Sequence, residues 1–182
     1  MKFCSECGST SSLKIPLEDN RERVICDECG YIQYENPKIV VGTLCTYENK
    51  ILLCKRAIEP RYGFWTLPAG FLELNESTRE GATRETIEES GAEIIISKLY
   101  AIFDLPFCNQ VHMFYLAHLQ KPSLCPGHES LEARLFEINQ IPWSELSFAS
   151  VKKTLDIFVG CGKETSTAVY NEVLEKKNIA SN

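Results

Sequence analysis

Two C-x2-C pairs decide how the N-terminal segment can fold. Cys4-Ser-Glu-Cys7 and Cys26-Asp-Glu-Cys29 stand with residues 8–25 between them, a spacing within the range of a four-thiolate structural zinc site. Gly8 and Gly30 follow the second cysteine of each pair, where a tight turn brings backbone up to the sulfurs. So short a segment cannot bury enough apolar surface to fold unaided, and bound zinc then supplies much of its stability. Four thiolates close the shell against water or substrate, so the expected role is a staple rather than a catalytic centre. Disulfides between the pairs are the alternative use of the same residues. Acids outnumber bases over residues 1–38, which disfavours nucleic-acid binding by this module.

The 182 residues suit one domain plus such a module, and 44% hydrophobic with 24% charged residues provides for a buried core. A net charge of −6 argues against a surface that coats nucleic acid or an anionic membrane. No apolar run approaches the roughly 18 residues of a membrane span, and the opening "MKFCSECG" lacks the apolar region of a secretory signal. Nine cysteines would suit a disulfide scaffold only in a much shorter secreted chain. With four in a metal pattern and five scattered, the expectation is a cytoplasmic protein.

"YENPK", Tyr34 to Lys38, reads as a linker. The expected divisions are 1–34 for the ribbon, 35–160 for the main domain and 161–182 for a tail. "IVVGTLCTY" and "KILLCKRA" predict a β-hairpin turning at Glu48-Asn49. "YGFWTLPAGFLE" predicts a strand running into a loop bent by Pro68 and Gly70. "EIIISKLYAIF", "VHMFYLAHL" and "ARLFEI" are further strands; in the second, Val111, Met113, Tyr115, Ala117 and Leu119 share a face. Helices are expected around Pro142–Leu146 and near Ala149–Val159, while "STAVYNEVLEKKN" suits helix or strand. The fold class is therefore α/β, built on a mixed sheet.

Between the strands lies an acid-rich helix. Ser77-Thr78-Arg79-Glu80 matches a capping box and Gly91 suits the left-handed residue after the last turn. Glu85, Glu88 and Glu89 fall at i, i+3 and i+4 and share a face, where like charges cost roughly 0.2–0.5 kcal/mol per pair. A solvated acidic face is the bland explanation. Ile87 is the main apolar candidate to face the core, and Gly81, one turn before Glu85, leaves a gap for something bulky. Carboxylates beside such a gap suit a hard divalent cation, with Mg²⁺ completing its shell with water and phosphate oxygens.

"GFLELNESTREGATRETIEESGA", Gly70 to Ala92, resembles the Nudix box, G-x5-E-x7-R-E-U-x-E-E-x-G-U with U bulky and apolar. Gly70, Glu76, Arg84, Glu85, Glu88, Glu89 and Gly91 fall in place, and the two U positions carry the smaller Thr86 and Ala92. The preceding cysteine ribbon with "NPKIVVGTL", "LLCKR", "GFWTLPAGFLE" and "ESLEARLF" is similar to the zinc-ribbon Nudix subgroup that includes plant plastid FAD/ADP-ribose pyrophosphatases. The similarity runs from about Phe3 to about Phe158. It implies a Nudix-type α/β/α sandwich that hydrolyses the pyrophosphate of a nucleoside diphosphate linked to a group X. It further implies Mg²⁺ or Mn²⁺ held by Glu85, Glu88 and Glu89, with the Ala69 carbonyl as a backbone ligand. Arg84 would then orient Glu85, Glu76 would fix the loop against the helix, and the general base would be Glu129, Glu132 or a box glutamate.

The stretch "YAIFDLPFCNQ" lacks the S-Q-P-W-P-F-P-x-S signature of NADH pyrophosphatases. This moves the expectation from NADH to FAD or ADP-ribose, small dinucleotide-type substrates that release AMP. The resemblance also allows a homodimer. A non-hydrolytic nucleotide sensor is the competing class. His112, His118 and His128 are expected to be packed or exposed rather than catalytic, and Cys45 and Cys54 to fill the core. Cys108, Cys125 and Cys161 lack the neighbours of a nucleophile. Phe64, Trp65 and Phe71 either stack on a base or pack internally; Lys55 and Arg56 either reach phosphate or lie on the surface.

Overall fold

The computed structural model describes residues 2–160 and 168–176. It contains two compact units, residues up to Asn36 and from Pro37 onward. The first is a three-stranded antiparallel sheet of β1 (Ser11–Lys14), β2 (Arg23–Cys26) and β3 (Ile32–Gln33). Gly8 and Gly30 adopt φ of 75° and 73°, the turn conformation glycine reaches without strain.

The second unit follows in the order β4 (Lys38–Tyr47), β5 (Lys50–Arg56), β6 (Trp65–Thr66), β7 (Ala69–Phe71), α1 (Thr78–Ser90), β8 (Ile94–Leu105), β9 (Gln110–Leu119), β10 (Ser130–Glu137), α2 (Ala149–Gly160) and β11 (Tyr170–Val173). Its sheet runs β10-β5-β4-β9-β8-β11. Parallel pairing of β4 with β9 and of β11 with β8, antiparallel elsewhere, makes it mixed. The tail thus contains a strand; its residues 161–167 and 177–182, Cys161 included, lie outside the described set. Around Pro142–Leu146 the chain forms only a 3-10 turn, Trp143–Glu145.

Strands β4 and β5 pair only beside their turn, at Thr46–Ile51 and Tyr47–Lys50. Beyond it they splay, and the β6–β7 segment wedges between them, β6 on β5 and β7 on β4. This wedge carries Ala69 and Gly70 into the middle of the sheet.

The sheet is covered on both faces, as a sandwich requires. On one face Leu44, Leu53, Phe103, Phe114 and Leu116 pack with Val151, Leu155 and Phe158 of α2. On the other, Val41 and Tyr115 meet Ala82 of α1, and Cys45, Ala117 and Leu119 meet Ala92. The β9 residues expected to share a face do so, but Phe114 and Leu116 opposite them are equally buried. Cys45 and Cys54 are fully buried.

Helix α1 begins as its sequence dictates. Ser77 accepts from the Glu80 N–H, and the Glu80 carboxylate accepts from the Ser77 N–H at 2.8 Å. Gly91, at φ 66°, ends it. Its packing differs from expectation. Ile87 is 49% exposed, whereas Gly81, Ala82, Thr86, Glu89 and Ser90 are buried. The helix lies too close to the sheet for large side chains: Thr43 donates to Thr86 Oγ1 at 2.7 Å, the Thr86 hydroxyl itself donating to Ala82 O. The gap at Gly81 is filled by the protein, since a Cβ there would meet Glu76 Oε1 at 2.7 Å and Val41 at 2.9 Å. Among the described residues no helix is long and apolar enough to cross a membrane.

Candidate active site and cysteine cluster

In the ribbon the four sulfurs lie within 4.8 Å of one another. Separations of 3.7 Å (Cys4–Cys29), 3.4 Å (Cys7–Cys26) and 3.5 Å (Cys7–Cys29) approach the about 3.8 Å edge of a tetrahedron with metal–sulfur bonds near 2.3 Å. The Glu6 and Cys29 N–H groups donate to the Cys4 and Cys26 sulfurs, support suited to thiolates. The donor set and its geometry fit zinc.

The acidic helix presents its carboxylates unequally. The side chains of Glu85 and Glu88 are 12% and 57% exposed, and Glu89 is 7% exposed. A solvated acidic face would expose all three. Glu85 lies over Gly70: a Cβ on that glycine would sit 2.3 Å from the Glu85 carboxylate carbon. Glu89 accepts the Ala69 N–H. The wedge between β4 and β5 is therefore the floor of the site, and Ala69 belongs to it.

Arg84 organises the rest. Its Nε and Nη2 clasp both Glu76 oxygens at 3.1 and 2.8 Å, its Nη2 also donates to Phe71 O, and its Nη1 bridges Glu85 at 2.7 Å and Glu88 at 3.3 Å. Glu76 also accepts the Glu73 N–H at 2.7 Å, so it ties the loop after β7 to α1. The paired Arg84 holds the Glu76 carboxyl below its ordinary value. Burial instead pushes Glu85 up. Burial pushes Glu89 up to about 8, helped by Glu85 and Glu129 and opposed by the Ala69 N–H and Arg56. Two crowded, poorly solvated carboxylates are costly unless a cation compensates them. Their oxygens are the donors a hard divalent ion takes. Among the described residues, however, the cysteines form the one set of three or more ligand atoms lying mutually within 4.8 Å. Glu88 points outward on Arg84 rather than meeting Glu85 and Glu89 at one point.

Of the two glutamates expected as alternative bases, Glu129 is near enough to this cluster to raise the carboxyls of both Glu85 and Glu89. Glu132 lies on β10 opposite Lys55 and pairs with Arg134. The strap before Glu129 completes the end of α1: the Cys125 N–H donates to Ser90 O at 2.8 Å and the Gly127 N–H to Glu89 O at 3.4 Å. Gly127 is needed there, because a Cβ would lie 2.0 Å from Glu88 O. Sequence reasoning missed Gly127, which no local pattern marks.

Trp65 is a core residue, edge-on to Phe136 at 4.8 Å. Phe71 is half exposed with Lys38 over its ring. His112 is buried, His118 is exposed on its strand with Nδ1 2.8 Å from Thr46 Oγ1, and the His128 side chain is 92% exposed.

The comparisons agree with this geometry. The profile described as Nudix N-terminal matches residues 2–35, and that of the NUDIX domain matches residues 36–155. A NUDIX hydrolase from Nitrosomonas europaea, known as a crystal structure, is 45% identical; the superposition covers 97% of this chain and 100% of that one, at a TM-score of 0.93. The NAD-capped RNA hydrolase NudC of Vibrio atlanticus is 29% identical over 147 residues, 78% of this chain and 51% of that protein. The ADP-ribose pyrophosphatase of Methanocaldococcus jannaschii is 29% identical over 116 residues, 62% of this chain and 69% of that protein. The chain spans about half the length of the NudC relatives it matches. Ribbon and catalytic-type domain thus point the same way, and the protein belongs to the Nudix hydrolase family.

Proposed function

We propose that the protein hydrolyses the pyrophosphate bond of a nucleoside diphosphate linked to a second group, releasing AMP when the nucleoside is adenosine. The burial of Glu85 and Glu89 against Ala69 and Gly70, beside an outward Glu88, is the observation that carries this reading. Glu85 and Glu89 would hold a Mg²⁺ or Mn²⁺ ion, Glu88 joining by rotation of its exposed side chain. Such an ion, when bound, neutralises phosphate oxygens and lowers the pKa of a nearby water.

The chain's own residues do the rest. Arg84 fixes the Glu85 carboxylate by a charge-assisted hydrogen bond, and Glu76 fixes Arg84. Glu129 would take the proton as water oxygen bonds to phosphorus and the bridging P–O bond breaks. The products are two monophosphates, one from each half of the substrate. In the ribbon, Cys4, Cys7, Cys26 and Cys29 hold structural zinc.

ADP-ribose is supported by the name of one relative and FAD by the zinc-ribbon resemblance alone, with NADH the alternative small substrate. The NudC relatives favour a second reading, an NAD-capped RNA end. The net charge of −6 argues against extensive contacts to an RNA body. Purified protein incubated with Mg²⁺ and, separately, ADP-ribose, FAD, NADH and NAD-capped RNA tests the proposal. AMP-type cleavage of at least one, lost in Glu88→Gln without loss of fold, is expected. Turnover of none, with tight binding of one, would establish the sensor reading instead.

A further inference from the structure

We infer that the outer edge of β10 pairs with the same edge of a second copy of this chain, joining two sheets into one across a two-fold axis at Ala133. Such an assembly is separate from the hydrolase reading and stands or falls without it.

The edge is long and open. β10 ends the sheet; on its inner side the Ala57 N–H donates to Glu129 O at 2.8 Å, and the ladder with β5 then runs from Ser130–Arg56 to Glu137–Lys50. No described strand pairs with its outer side, which leaves a row of backbone donors and acceptors for another chain. The opposite edge, β11, offers only four residues against eight in β10. Charges usually keep such an edge from pairing. Those of β10 carry both signs: the Glu132 and Arg134 side chains, 44% and 53% exposed, approach to 3.7 Å, too far for a hydrogen bond. The Arg134 guanidinium lies over Trp65 and Phe136, 5.0 and 4.2 Å from the ring centres, which holds it along the sheet.

Symmetry selects the register. Directly opposed residues of an antiparallel pair share a face, so a two-fold axis normal to the sheet passes between one residue and its own copy. An axis at Glu132 opposes that acid to itself, and one at Arg134 opposes the two guanidinium groups. An axis at Leu135 sets Arg134 against Phe136 and Glu137 against Ala133. At Ala133 the axis sets Glu132 of each copy against Arg134 of the other, two opposite-charge pairs, with the smallest side chain of the strand at the centre. All four charges then lie on the α2 face, since Arg134 stands opposite Leu53 and Glu132 opposite Lys55. The same register brings Leu131, 48% exposed beside the bulge between Ser130 and Glu132, to Leu135 of the other copy. This self-complementary order of charges names a second copy, rather than an unrelated strand, as the occupant of the edge.

A lone ladder buries little area, so the dimer is weak, with a Kd on the order of 10–100 μM. Sedimentation equilibrium of the full, zinc-loaded chain across that range compares wild type, Glu132→Arg, Arg134→Glu and the double exchange at low and high salt. Urea midpoints and amide hydrogen exchange at several protein concentrations accompany it. Each single reversal opposes like charges twice, so association roughly 10-fold weaker is expected, with affinity returning in the double exchange. Added salt should weaken the wild-type dimer, and dimerisation should protect the amides of residues 130–136. A monomeric wild type, a dimer that neither single reversal weakens, a double exchange as weak as the singles, or protection that leaves β10 unchanged overturns the inference. Arg134→Glu also removes a stack on two rings; should its urea midpoint fall, Glu132→Arg carries the comparison.

Discussion

Replacing Gly70 by alanine tests whether the wedge between β4 and β5 positions Glu85. The added Cβ would fall 2.3 Å from Glu85 Cδ and Oε1 and 2.4 Å from Oε2. Ordinary contact begins at 3.4 Å, so the carboxylate must retreat by about 1 Å (3.4 − 2.3). It is the far end of a flexible side chain, so the fold can absorb the change. Glu85 nevertheless loses its place against Arg84 Nη1, now 2.7 Å away. A misplacement of this size at a reacting centre costs about 100-fold in rate, or about 2.7 kcal/mol of transition-state stabilisation. Stability should change by less than about 1.5 kcal/mol, because overpacking is partly offset by the entropy alanine removes from the unfolded chain. The assay is kcat/KM on ADP-ribose, or on whichever substrate the wild type cleaves, beside urea denaturation. Gly42→Ala is the contrast: its Cβ would meet Ala69 Cβ at 2.4 Å and Pro68 O at 2.5 Å, so stability should fall. Activity of Gly70→Ala within about threefold of wild type would refute the argument that the floor sets the carboxylate.

Thr86→Val should cost about 1–3 kcal/mol by leaving the buried Thr43 hydroxyl unpaired; chemical denaturation that finds no loss would contradict the packing described for α1. His112, buried and pushed down to about 4 from 6.5, gives a pH effect whose sign follows from linkage. Above pH 6.5 it is neutral in both states. As pH falls from 6.5 toward 4 only the unfolded chain takes up the proton, so stability drops, by about 2 kcal/mol at pH 5. Urea midpoints at pH 7.5 and 5 should therefore fall further in the wild type than in His112→Gln, and equal falls would rule this out. Stripping zinc with a strong chelator should collapse the amide signals of residues 4–31 in NMR spectra, since little apolar core holds that unit; persistence of the ribbon pattern in metal-free protein would show that the cysteines are not its staple.

Local rules were readable in the sequence and contacts between distant segments were not. The capping box at Ser77 and Glu80, the left-handed Gly91 and the cysteine pairs each depend on residues close in the chain. Burial of Glu85 and Glu89 was not marked by any nearby residue, because the floor beneath them comes from β7, whose three residues are too few to show a period. Ile87 misled because an apolar residue normally points inward. Here the sheet approaches so closely that Gly81, Ala82 and Thr86 fill that face. The tail could not be read as a strand from its own composition, since its pairing partner is β8, far earlier in the chain. Glu129 and Glu132 looked equivalent in sequence, and only the folded chain separates them: Glu129 acts on the charges of Glu85 and Glu89, while Glu132 lies opposite Lys55 in the ladder.

The strap from Cys125 to Glu129 also bears on which lengths the chain tolerates. Its two N–H groups are fastened to Ser90 and Glu89, and three residues after Gly127 the chain has entered β10. One residue added after Cys125 would shift Glu129 out of step with Ala57, whereas residues 120–123 are exposed and can lengthen freely. Homologous chains should accordingly vary in length before Cys125 and keep a constant count from there to β10.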